Sequence, residues 1–144
     1  MEQEKELRRE VEATRMRGVL DALTKKAEDP RKVHGIKVLA ERVDGVPAQD
    51  LKPLADGLRR KLGSGVVILG RAEAEKASIL VAVTEDLKGK LPAGDLVREV
   101  SKIIGGGGGG RPDLAEAGGK DPSRLDEAIR AALDAISRRI AAPA

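Results

Sequence analysis

At 144 residues, 40% hydrophobic and 35% charged, the chain has room for one globular domain plus an extension. It contains no Phe, Tyr, Trp or Cys, which excludes a single-strand binder that stacks bases on aromatic rings, any disulfide, and any thiolate nucleophile or metal ligand. The net charge of +3 is unevenly spread: residues 31–104 carry fourteen Lys/Arg against ten Asp/Glu, while residues 1–30 hold seven against eight and residues 105–144 six against six. A basic middle permits a polyanionic partner without demanding one.

Residues 2–27 lack Pro and are dense in Glu, Lys, Arg, Leu and Ala, so they read as a helix, acidic at its start and basic at its end as the helix dipole favours. Its apolar residues fall on two sides. Leu7 and Val11 share one, and Met16, Val19, Leu20, Leu23 and Ala27 form a stripe on the other, so the second half is expected to dock on the domain and the first half to meet a partner. Asp29-Pro30 stops this helix.

Residues 33–43 then read as a strand in which Ile36, Val38 and Ala40 alternate with charged positions. A turn at residues 44–47 leads to a helix with Asp50 as N-cap, Leu51, Leu54, Ala55, Leu58 and Leu62 as its buried stripe, and Gly63 as its stop. Residues 66–70 and 78–84 are β-branched, apolar runs joined by a short polar connection, which predicts an antiparallel hairpin covered on both faces. A third helix over residues 95–104 delivers the chain into six consecutive glycines. Asp121 and Pro122 open a last helix striped by Leu125, Ile129, Leu133, Ile136 and Ile140.

The fold class is therefore mixed α+β. A small mixed sheet is packed with helices, with residues 1–30 as a helical extension and residues 31–144 as the globular domain.

Conventional catalysis finds little support. His34 is the single histidine and cannot anchor a histidine metal site alone. The glycine run matches a dinucleotide fingerprint trivially, but it follows a helix where that fingerprint needs a strand, and no Gly-Lys-Ser/Thr follows. Six glycines are nevertheless expensive in backbone entropy. The run is read as an ordered loop that either lets the last helix pack or lets a ligand backbone come close. Arg111 beside it can form a forked pair with a phosphate or base edge, and Asp113 can accept from base amino groups.

The string from Gly105 through Gly110 into Arg111-Pro112-Asp113-Leu114-Ala115-Glu116-Ala117-Gly118-Gly119-Lys120-Asp121 resembles the signature of the DHH-associated domain near the C-terminus of alanyl-tRNA synthetases. The likeness extends over residues 33–141, and the same module occurs in DHH-family exonucleases and phosphoesterases. It implies that this chain is a piece of a longer alanine–tRNA ligase, noncatalytic itself, whose ATP-using and zinc-dependent centres lie upstream; no cofactor is implied for this piece. It further implies a grip on the tRNA elbow, a possible homodimer through the N-terminal helix, and a cytoplasmic location, which the lack of any apolar run near 20 residues also favours.

Carried onto this sequence, the RNA contacts are Gly105, Gly106, Gly107, Gly108, Gly109, Gly110, Arg111, Asp113, Gly118, Gly119 and Lys120. Arg59, Lys61 and Arg124 are added on charge alone. The alternative is the nucleic-acid-binding domain of a DHH phosphoesterase.

Overall fold

The computed structural model describes residues 18, 21–26, 28, 31–33, 35–44, 46, 48–73 and 75–141. The two apolar runs at the middle of the sequence form the middle of the sheet. Strand β3 (Val66–Glu73) and strand β4 (Lys76–Val83) pair antiparallel from Val66↔Val83 to Glu73↔Lys76, so both strands extend through the polar stretch read as their connection. The predicted strand over residues 33–43 is instead two, β1 (Arg31–Val33) and β2 (Ile36–Arg42), folded into a hairpin. Gly35 at φ 84° supplies the left-handed residue that this turn needs.

Helix α1 (Leu51–Leu62) follows a short 3-10 turn (Ala48–Asp50) and carries the chain from β2 to β3, which lie parallel. Such a pairing requires a crossover of this kind. Asp50 stands at the N-cap position but makes no side-chain cap bond, and the Gly63 N–H donates to the Arg59 carbonyl at 3.1 Å. Helix α2 (Ala93–Ser101) begins and ends earlier than its apolar residues suggested. It leads into β5 (Gly106–Gly110) and β6 (Leu114–Gly119), and a 3-10 turn (Pro122–Arg124) then opens helix α3 (Leu125–Ala141). The strand order is β1-β2-β3-β4-β6-β5.

The sheet separates two apolar layers. On one face Ile68, Ile79 and Val81 meet Leu96 and Val100 of α2 and Leu125, Ala132 and Ile136 of α3. On the other Val67, Leu69, Leu80 and Leu39 meet the predicted α1 stripe. Because β3 and β4 are covered on both sides, their sequences run apolar without alternation. Each fully buried Leu or Ile here contributes about 1.5–3 kcal/mol.

Residues 21–26 are helical, and Leu23 is buried in the α1 layer beside Leu39, Val43 and Val46. The expected docking of the second half of the N-terminal helix is thus seen at this residue. Leu7, Val11, Met16, Val19, Leu20, Ala27 and His34 lie outside the described residues.

Candidate nucleic-acid interface

Glycine is depleted in strands and shows no periodicity, so the run 105–110 reads as a loop in sequence. In the structure it is a strand. Gly106 through Gly110 pair antiparallel with β6 in the register Gly106↔Gly119, Gly108↔Ala117, Gly110↔Ala115, and β6 in turn pairs with β4. The two backbones approach so closely that a Cβ at Gly106 would stand 1.8 Å from the Gly118 carbonyl oxygen, and one at Gly108 would stand 2.4 Å from the Ala117 Cβ. No side chain fits at either position. At Gly107, by contrast, a Cβ would meet nothing within 4 Å, and at Gly109 only the Arg98 Nε at an ordinary 3.6 Å.

The same register fixes where the main-chain polar groups point. The Arg111 N–H donates to the Leu114 carbonyl at 3.0 Å, making 111/114 a hydrogen-bonded pair. Alternation along an antiparallel ladder then makes 109/116 and 107/118 bonded pairs, and turns the N–H and C=O of Gly106 and Gly108 away from β6. Since β5 ends the sheet, those groups form its open edge, and Gly106, Gly107 and Gly108 are exposed.

Pro112 and Asp113 make the tip of this hairpin, and the tip is tied down. The Asp113 carbonyl accepts from the Val83 N–H at 2.8 Å and from Arg59 Nη1 at 3.1 Å, while the Pro112 carbonyl accepts from the Ala93 N–H at 2.9 Å. Arg59 also donates to the Val83 carbonyl at 3.3 Å and to Asp56 at 2.7 Å. Named from the sequence as a charge-based contact, Arg59 is a half-buried brace between α1, β4 and the tip. Arg111 extends beyond it, its side chain 75% exposed and its Nε 3.7 Å from Asp113 Oδ1.

The remaining candidates divide. Gly118 is exposed on the strand beside the glycines, Lys120 is exposed in the bend just after it, and Gly119 is packed, since its Cβ would lie 2.0 Å from the Ile104 carbonyl oxygen. Lys61 pairs with Glu28 at 3.8 Å, and Arg124 donates to Glu127 at 2.8 and 3.1 Å. The Arg124 bonds hold the Glu127 carboxyl below its ordinary pKa. Arg98 of α2 and Lys102 just past its end add to these: the Arg98 Nε lies 3.6 Å from where a Gly109 side chain would begin, and the Lys102 carbonyl accepts from the Gly105 N–H at 3.1 Å; their four-residue spacing just before the glycine run is visible in the sequence.

A cleft of about 420 Å³ opens elsewhere, between β2 and α3, lined by Val38, Ala40, Ile129 and Leu133. Ion pairs Lys26–Glu41 at 2.9 Å and Arg42–Asp126 at 3.3 Å cross its rim, so much of its charge is already matched. Among the described residues no group of three or more His, Cys, Asp or Glu is placed to hold a metal ion, and no helix is long and apolar enough to cross a membrane.

A family model described as the DHHA1 domain matches residues 35–138. The alanine–tRNA ligase of Desulfosudis oleivorans is 48% identical over 113 residues, 78% of this chain and 13% of that protein. That of Anaeromyxobacter dehalogenans is 45% identical over 137 residues, 95% of this chain and 15% of that protein. The chain thus spans 13–15% of the length of these relatives. Among solved structures, the C-Ala domain from Aquifex aeolicus alanyl-tRNA synthetase superposes with a TM-score of 0.70 at 32% identity, covering 74% of this chain and 96% of that one. A DHH-domain member of the s1p family of ribosomal proteins superposes at 0.52 with 12% identity, over 85% of this chain and 31% of that one, a likeness of fold alone.

Proposed function

We propose, from the premise that this chain belongs to the DHHA1 domain family, that it is the noncatalytic tRNA-binding module of a longer alanine–tRNA ligase. It grips the outer corner of the tRNA in support of aminoacylation and editing carried out elsewhere in the enzyme. The observation that carries this reading is the open edge of β5. Five glycines, all but Gly109 exposed, form an edge strand in which Gly106 and Gly108 turn their main-chain groups away from β6, and two of the five, Gly107 and Gly109, are required by no internal contact. A bare backbone edge with Arg111 at its tip suits a folded RNA, which is recognised by shape and sugar–phosphate contacts and needs no aromatic platform.

Gly105 through Gly110, Gly118, Arg111, Asp113 and Lys120 are assigned to this surface, with Gly119 packed behind it. Arg59 supports it from behind, and Lys61 and Arg124 are peripheral. ATP and zinc belong to the upstream part of the enzyme, the setting is the cytoplasm, and the N-terminal helix is the route to a homodimer. The phosphoesterase reading is not favoured, because the relatives at 45–48% identity are alanine–tRNA ligases.

The test is equilibrium binding of this chain to folded tRNA, to a tRNA whose D- and T-loop contact is disrupted, and to single-stranded DNA of equal length. Folded tRNA is expected to bind tightest; equal affinity for all three overturns the elbow assignment.

A further inference from the structure

We propose that Arg98 and Lys102, together with the open edge of β5, form a track for two neighbouring phosphates of the RNA backbone; this rests on the tRNA-binding reading above. Helix α2 runs back along β5. At its start a Cβ on Gly94 would lie 2.9 Å from the Gly110 carbonyl oxygen, and at its end the Gly105 N–H donates to the Lys102 carbonyl at 3.1 Å. Residues 94, 98 and 102 therefore share the helix face beside the glycine strand, about 5–6 Å apart at successive turns. Gly94 lets the backbones touch, and Arg98 and Lys102 extend past that contact. Arg98 Nε is 3.6 Å from where a Gly109 side chain would begin, so the absence of that side chain leaves the guanidinium beside the main chain.

The charge balance of α2 leaves these two cations available. Its acids are drawn to α3: Arg138 pairs with Glu99 at 2.5 Å, and Arg139 lies 4.0 Å from Asp95 and 3.9 Å from Glu99. Among the described residues Arg98 keeps one ion pair, with Asp95 at 3.5 Å, and its side chain is 65% exposed. Lys102 is exposed and has no ion-pair partner among the described residues. An exposed pair of this kind is worth little, so Arg98 can exchange Asp95 for a phosphate at small cost. Gly106 and Gly108 present their outward N–H groups about 6.7 Å apart along the same line. Two cations and two main-chain donors, each repeating at roughly the same interval, match a ligand that repeats its negative charge. Contacts of this kind position a polynucleotide without reading its sequence.

The experiment compares the unaltered chain, Arg98→Gln/Lys102→Gln, and a control Lys32→Gln/Lys37→Gln at the opposite edge of the sheet. Binding to tRNA is measured from 50 to 300 mM salt, with circular dichroism verifying each fold. The track variant is expected to lose about tenfold in affinity and to flatten the plot of log K against log salt by about 1 for each lost phosphate contact, while the control leaves the slope unchanged. Arg98→Lys should restore most of the slope. An unaltered slope in the track variant, while Arg111→Ala still weakens binding, overturns the track and leaves the tRNA-binding reading standing. Failure of the unaltered chain to bind tRNA overturns both. Preference for polyglutamate over tRNA, lost in the track variant, would make the surface a site for acidic peptide and also overturn the proposal.

Discussion

Arg59 in the last turn of α1 reaches Asp113 at the tip of the glycine hairpin, its Nη1 donating to that residue's main-chain carbonyl at 3.1 Å. Those residues are 54 apart in sequence and belong to different layers. The contact ties the helix on one face of the sheet to the tip of its edge hairpin, so the hairpin inherits the rigidity of the core.

Arg59→Ala is therefore expected to act in two places. Loss of the charged donor leaves the Asp113 and Val83 carbonyls short of a partner, at about 1–3 kcal/mol in stability. It also frees the tip, which should speed amide exchange at Arg111 and Leu114 and weaken tRNA binding. Arg59→Lys should recover part of the stability and little of the tip rigidity, because an ammonium cannot bridge both carbonyls and Asp56 as the planar fork does. Exchange rates at the tip equal to those of the unaltered chain would show that Arg59 does not brace it.

The glycines of β5 should separate into two kinds. Gly108→Ala forces a methyl into the Ala117 Cβ, 2.4 Å away, and should lower stability by about 1–3 kcal/mol as the strands part. Gly107→Ala meets open space and should leave stability unchanged or raise it by about 0.5–1 kcal/mol, while weakening tRNA binding. Thermal melts with parallel binding curves distinguish the two; equal destabilisation by both would mean that the pairing does not explain the run.

Acid should weaken the end of the β3–β4 hairpin. The Ser64 hydroxyl and the Thr84 hydroxyl, the latter at 2.5 Å, both donate to Asp86, and these bonds hold its carboxyl below the ordinary value. A carboxyl depressed in the folded state stabilises the fold above its unfolded pKa of about 3.9 and loses that contribution as pH falls through the lower folded value. Asp86→Asn should accordingly lower the denaturation midpoint at pH 7 and do so less at pH 3. A gap that does not narrow between those pH values would remove Asp86 from this account.

Leu23 is 4% exposed among Leu39, Val43 and Val46. Leu23→Ala is expected to cost about 2–5 kcal/mol, visible as a lowered melting temperature with no change in tRNA affinity at low temperature. A neutral result would place the N-terminal helical segment off the domain in solution.

The interior of this fold was readable in advance because side chains announce it. Leu51, Leu54, Ala55, Leu58 and Leu62 fall on one helical face whatever the tertiary context, and the β-branched runs of β3 and β4 could hardly be anything but buried strands. The hairpin between β1 and β2 escaped notice because a single residue, Gly35, turns an apparently continuous strand back on itself. For β5 the difficulty is deeper. Glycine has no side chain to alternate, so its strand character comes entirely from β6, itself fixed by β4. Arg59 stands out in the sequence for its charge, and its Asp56 partner lies three residues away, but the Val83 and Asp113 carbonyls that it also holds are revealed by no sequence spacing. Arg98 and Lys102 acquire meaning only once α2 is laid along the glycines.

A binding edge made of glycine main chain also has a thermodynamic character of its own. Side chains at ordinary interfaces must surrender rotamer freedom on docking, at about 0.5–1.5 kcal/mol for each flexible one immobilised. From Gly106 to Gly110 there are no rotamers to lose, and one side of that backbone is already fixed by its ladder with β6. Whatever seats there meets a surface whose ordering was completed when the protein folded, so the entropic penalty of contact falls almost wholly on the ligand.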